Sequence, residues 1–146
     1  MKKILLILAA LFSVGIFVVA ANNEKVINKN QLPAQAQEFV NSHFEGIDLI
    51  YAKKECYIIF NSYEVRLADG SKLEFSNKGK WKEVECQSGE VPSAIIPQPI
   101  KEYVEKNYAG AKVLLIEKNR KDYEVKLSNR LELKFDKNFN IYDIDD

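Results

Sequence analysis

Apolar and charged residues alternate along Tyr63-Glu64-Val65-Arg66-Leu67 and again along Tyr123-Glu124-Val125-Lys126-Leu127. A period of two is that of a strand with one buried and one wetted face. Each run turns and re-enters as a second alternating run, Leu73-Glu74-Phe75 and Leu133-Lys134-Phe135, so a hairpin is predicted twice. A helical stripe lies ahead of each hairpin. Leu32, Ala36, Phe39, Val40 and Phe44 recur at helical spacing between Pro33 and Gly46; Ile100, Tyr103, Val104 and Tyr108 do so between Pro97 and Gly110. Pro suits the first turn of a helix and Gly the position just past its end. A first strand is predicted after each helix, over 47–52 and 112–116, and a last strand at Trp81-Lys82-Glu83-Val84 and at Ile141-Tyr142-Asp143-Ile144. In both last strands the apolar residues sit three apart, which predicts a bulge or an edge strand.

The helices are offset by 64 residues (Pro33 to Pro97) and the hairpins by 60 (Tyr63 to Tyr123), which locates a four-residue excess between Lys53 and Ser62. That excess carries Cys56 and the apolar run Tyr57-Ile58-Ile59-Phe60. The pattern predicts an α+β fold, a tandem repeat of one helix followed by a roughly four-stranded antiparallel sheet. Residues 22–31 read as a flexible lead-in, 32–86 as the first repeat, 87–95 as a linker and 96–146 as the second repeat. One helix on four short strands is little core for about 60 residues, so the two copies are expected to pack together.

Leu32-Pro33, Tyr63 to Leu67, Asp69-Gly70, Leu73, Phe75, Gly79 and Trp81, then Ile96-Pro97, Tyr123 to Leu127 and Phe135-Asp136, form a pattern that resembles the PepSY-like, β-lactamase-inhibitor-protein-like family. These are small exported proteins of Bacteroides-type bacteria. The second copy departs from the pattern, with Asn129-Arg130 in place of Asp-Gly and Phe139 in place of the turn glycine. The resemblance implies an inhibitor-like protein-binding role and brings no set of functional residues with it.

The N-terminus changes the picture of where the chain works. Met1-Lys2-Lys3 is a short positive region, the 18 residues Ile4–Ala21 are almost wholly apolar, and Val19-Ala20-Ala21 offers small residues at a cleavage position. This reads as a signal peptide over 1–21, with an uncleaved anchor as the competing reading at the lower length limit for a membrane span. Cleavage after Ala21 leaves 146 − 21 = 125 residues and a formal charge of 19 − 21 = −2. A periplasmic or extracellular location without stable membrane insertion after cleavage is expected. So balanced a charge carries no field for nucleic acid.

Chemistry is sparse. Cys56 and Cys86 are the only cysteines. An exported chain permits a bridge between them, which would close a loop of about 30 residues for roughly 3 kcal/mol; the alternative is two small apolar core side chains. His43, the only histidine, falls near the end of the first helix, where a cation suits the backbone dipole. No nucleophile elbow, phosphate loop or metal-ligand spacing is present in the sequence, so no enzyme activity, cofactor or metal is expected. Tyr57, Phe60 and Trp81 are the candidate partner-binding aromatics, set against the plainer reading of core packing. The expected function is an exported binding protein engaging another envelope or secreted protein, with a small-ligand or glycan binder as the alternative.

Overall fold

The computed structural model describes residues 23–146. Strand β1 (Asn23–Ile27) is followed by helix α1 (Ala34–His43) and strands β2 (Leu49–Cys56), β3 (Asn61–Leu67), β4 (Lys72–Ser76) and β5 (Trp81–Glu85). Helix α2 (Gln98–Asn107) then precedes β6 (Val113–Lys118), β7 (Asp122–Leu127), β8 (Glu132–Asp136) and β9 (Ile141–Asp145). All nine strands form one antiparallel sheet in sequence order. The sheet is therefore larger than the roughly four-stranded units expected, because β5 pairs with β6 and β1 adds a strand outside β2.

The unity of the sheet is visible in one row of side chains. Ile27, Ala52, Val65, Leu73, Val84, Ile116, Val125, Leu133 and Ile144 stand opposite one another from β1 to β9. All are buried except Ile144, which lies on the outermost strand and is 46% exposed. Both helices cover this face. Phe39 of α1 meets Phe75 edge-to-face at 5.5 Å, and Tyr103 of α2 meets Phe135 in the same way at 5.3 Å. The helix stripes, the row and Phe75 and Phe135 belong to a single hydrophobic core.

Pro33 and Pro97 stand at the N-caps of the helices, where an amide hydrogen would go unused. Register shifts fall between Glu74 and Phe75 and between Lys134 and Phe135, so the three-residue apolar spacing of β5 and β9 is that of bulges. Segment 22–31 departs from the lead-in expected. Its residues 23–27 are β1, held by five paired positions along β2. The 87–95 connection is fastened down: Val91 and Ile95 are buried, and the Val91 amide donates to the Val113 carbonyl at 2.8 Å. The signal-peptide reading of 1–21 lies outside the described residues.

The four-residue excess is resolved as two extra rungs on the β2–β3 hairpin. Beyond the shared Ala52–Val65 pair the first hairpin continues for four rungs to Cys56–Asn61; beyond Ile116–Val125 the second continues for two, to Lys118–Tyr123. The tip Tyr57–Phe60 is thereby carried about 7 Å further out at the usual rise per residue.

Gly79, at φ +82°, turns β4 into β5 directly beneath the start of α1: an added Cβ would lie 2.7 Å from Pro33 Cβ and 2.9 Å from the Ala36 nitrogen. Gly46, at φ +79°, has open space around it. Gly79→Ala is expected to cost at least about 2 kcal/mol through combined strain and clash, and Gly46→Ala about 1 kcal/mol through strain alone. Denaturant midpoints measure both, and equal losses would contradict the close approach of the turn to the helix.

Candidate interaction surface

Alternation sends every second side chain to the face the helices leave open. Next to the buried row runs a row of the opposite character: Lys53, Glu64, Glu74, Glu83, Glu117, Glu124, Lys134 and Asp143, one from each strand from β2 to β9. Five carboxylates in succession occupy its centre. Like charges facing across strands repel, and the sheet answers with shared cations. Lys53 Nζ lies 3.3 Å from Glu24, 3.1 Å from Glu55 and 3.4 Å from Glu64. Lys72 Nζ is 2.6 Å from Glu83 and 3.2 Å from Glu74, and Lys134 Nζ is 3.1 Å from Asp143 and 3.2 Å from Asp145. Glu64, 8% exposed, also accepts from Tyr51 Oη and Arg66 Nε at 3.1 Å each. Although partial burial pulls the other way, hydrogen bonds and charge from these carboxylates hold the Lys53 and Lys72 ammonium groups well above their ordinary range.

Relief is weakest at Glu117 and Glu124, which have no ion pair among the described residues, although Lys126 Nζ lies 3.4 Å from Glu132 next to them. Glu124 shares a hydrogen bond with Glu132 that pushes its carboxyl up to about 7, helped by partial burial and by the charges of Glu132 and Glu117, while Glu132 is drawn down.

The residues singled out from the sequence are scattered. Trp81 is half-buried on the helix side, stacked on Phe39 at 6.3 Å, with Lys118 Nζ 5.6 Å from its ring centroid. Tyr57 and Phe60 stack on each other at 4.8 Å at the hairpin tip, 38% and 50% exposed, and Ile58 and Ile59 stand beyond them at 92% and 88%. His43 packs against Phe39 at 4.7 Å at the end of α1, away from the open face. Cys56 and Cys86 are free thiols, which corrects the bridge considered for them. Cys56 ends β2 and Cys86 directly follows β5, about 14 Å apart across the strands, and on opposite sides of the buried row by about 20 Å along them. A disulfide needs Cα atoms within about 7 Å. The alternating charges of Glu64/Arg66 and Glu124/Lys126 mark a wet face in each hairpin, and the β5–β6 pairing, which has no local signal, joins the two into one row.

Among the described residues no three His, Cys, Asp or Glu side chains are grouped so as to hold a metal ion. Two grooves, of about 330 Å³ beside α2 and about 370 Å³ between β5 and β7, have no aromatic residue in their linings. No described helix is long and apolar enough to cross a membrane.

Half-burial of Trp81 against Phe39 predicts that Trp81→Ala costs about 2 kcal/mol, less than a fully buried Trp. A loss of partner capture with an unchanged thermal midpoint would instead make Trp81 a surface anchor. Glu124 gives a pH signature. Between its ordinary 4.5 and about 7 the folded chain holds a proton that the unfolded chain releases. Its contribution to stability is therefore full below about 4.5 and lost as pH rises through 7. Glu124→Gln is expected to raise the thermal midpoint at pH 8 relative to the parent and to flatten the decline from pH 5 to 8. Parallel profiles would show that Glu124 is ionised throughout.

Known proteins resemble this chain in sequence and shape. The family model described as "putative beta-lactamase-inhibitor-like, PepSY-like" matches residues 61–143. A crystal structure of a "putative calcium-regulated periplasmic protein" from Bacteroides thetaiotaomicron is 51% identical, with a TM-score of 0.82 over 84% of this chain and 97% of that one. Two "putative periplasmic" proteins of Bacteroides vulgatus are 48% and 42% identical, with TM-scores of 0.84 and 0.80, over 86% and 84% of this chain and 99% of each of theirs. No functionally curated protein matches. All three neighbours are described as "putative" periplasmic proteins, and one of the Bacteroides vulgatus pair as of unknown function. From β3 to β9 the sequence carries that family's pattern, and the chain belongs to the PepSY-like, beta-lactamase-inhibitor-like family.

Proposed function

We propose that this protein is an exported, non-enzymatic binding module that offers the open face of its sheet to another envelope or secreted protein, in the manner of an inhibitor. The observation that carries this reading is the contrast between the two faces. One is sealed by α1 and α2, and the other presents cross-strand rows of fixed charge that no described helix covers. Such a surface is rigid, because every charge of the row from Lys53 to Lys134 stands on a strand paired on both sides, and rigidity limits the ordering cost of binding. The central carboxylates from Glu64 to Glu124 outnumber their lysines, so the partner presents cations. Charge complementarity of this kind governs encounter rate and choice of partner. The two helix-plus-strand segments are two copies of one unit, joined at the β5–β6 seam into a surface that neither provides alone. The glycan alternative depends on an aromatic-lined concavity, and the two larger grooves lack one.

Affinity capture from envelope extract with tagged residues 22–146 tests the reading. A near-stoichiometric protein is expected, retained by the parent and lost on Glu117→Lys at the centre of the face. That substitution sets a cation between Glu83 and Glu124, so the fold should hold or gain stability while binding falls at least tenfold. Capture indifferent to Glu117→Lys would take the partner off this face, and glycan arrays would follow an empty capture.

A further inference from the structure

The other charge asymmetry of the molecule runs along the strands. In an antiparallel meander the β2–β3, β4–β5, β6–β7 and β8–β9 turns all lie at the same end of the sheet. Three of them carry exposed cations: Lys78 and Lys80, then Arg120 and Lys121, then Lys137. Every described lysine or arginine of the open face that forms an ion pair, such as Lys72 or Lys134, does so with a carboxylate on its own or a neighbouring strand. The five turn cations make no ion pair among the described residues.

The fourth turn, Tyr57–Phe60, is wholly apolar. Its geometry does not require this. The Tyr57 amide donates to the Phe60 carbonyl at 2.9 Å, and in the second hairpin the Asn119 amide donates to the Asp122 carbonyl at 2.9 Å with Asn-Arg-Lys-Asp in the same four places. Two extra rungs lift the apolar version beyond its neighbours. Its stacked Tyr57 and Phe60 form a base for Ile58 and Ile59, which are almost fully exposed. The chain also enters the sheet here, since Asn23 pairs with Cys56, the residue before the tip.

We infer that this end of the molecule is a membrane-surface contact: the Tyr57–Phe60 tip enters the interfacial layer of an anionic bilayer, and the turn cations rest on its headgroups. An apolar wedge flanked by cations is the combination that holds a protein on such a surface without spanning it. The aliphatic apex favours acyl chains over a polar protein epitope. The inference is independent of the proposed partner, because the open face then stands at right angles to the bilayer and stays accessible.

The test is co-sedimentation of residues 22–146 with vesicles of phosphatidylcholine alone and of phosphatidylcholine with three parts in ten phosphatidylglycerol. The crystallised relatives, 97–99% of which align to 84–86% of this chain, show that this part of the fold stands on its own. Binding to the anionic vesicles is expected, at least tenfold weaker on neutral ones and in half-molar salt. Ile58→Ser with Ile59→Ser should lower it at least tenfold, as should Lys78→Glu with Lys121→Glu, each with an unchanged circular-dichroism melt. Glu117→Lys should leave it intact or strengthen it, which separates this contact from the partner-binding face. Failure of the parent to bind anionic vesicles overturns the inference. So does binding that survives the Ile58/Ile59 change, or a tip whose loss abolishes protein capture but not vesicle binding.

Discussion

Two helices of ten residues, each about 15 Å long and 10 Å thick, cannot cover both faces of a sheet nine strands and about 38 Å wide. One face must be sealed and the other left wet, and that constraint organises the molecule. The row from Ile27 to Ile144 is the sealed side of the bargain, one apolar residue from each strand in unbroken register. A slip of one residue in any strand would send its row member into water and a glutamate or lysine into the core. The register is therefore held jointly by nine strands, and the three-pair seam between β5 and β6 is held by Val84 and Ile116, both fully buried, more than by its own short ladder.

The wet side follows from the same register. The core row admits no charge, whereas its neighbour is charged at every position from β2 to β9, and carboxylates predominate along it. Lysines shared among two or three acceptors offset part of the repulsion, as Lys53 and Lys72 do. Glu132 takes the Lys126 ammonium at 3.4 Å, and Glu124 beside it, with no lysine of its own among the described ion pairs, is pushed toward its protonated form. The repulsion left on this face is what a cationic partner surface would relieve, and under the proposed function stability and recognition would draw on one set of residues.

Much of this was legible in the sequence. The helices begin and end at the predicted Pro and near the predicted Gly, the hairpins fall on the alternating runs, and the bulges follow from apolar residues three apart. What escaped has physical reasons. Strand β1, Asn-Glu-Lys-Val-Ile, has no alternation because an edge strand needs only one buried residue, here Ile27. The closure of the sheet across β5 and β6 is a tertiary event with no local signature. The bridge between Cys56 and Cys86 was allowed by loop length and excluded by the sheet, which puts them at opposite ends. Positions 130 and 139 showed as departures from the first copy's Gly70 and Gly79. Arg130 at φ +74° and Phe139 at φ +64° adopt the same left-handed turns at a steric cost. Phe139 offsets it by packing on Tyr123 at 5.3 Å.

The offset of 60 against 64 marked the hairpin extension, and its structure explains why the excess is a unit rather than a slack loop. The rungs Glu55–Ser62 and Cys56–Asn61 exist only in the first hairpin, and they supply the partners for Glu24 and Asn23 of β1. Extension, edge strand and apolar tip thus share one corner of the sheet. An uncharged run such as Tyr-Ile-Ile-Phe beside an open edge is an aggregation hazard, and the matching turn of the second hairpin shows that four polar residues close the same loop. A feature that the fold does not need, and that carries a cost in water, is accounted for by a surface that removes it from water.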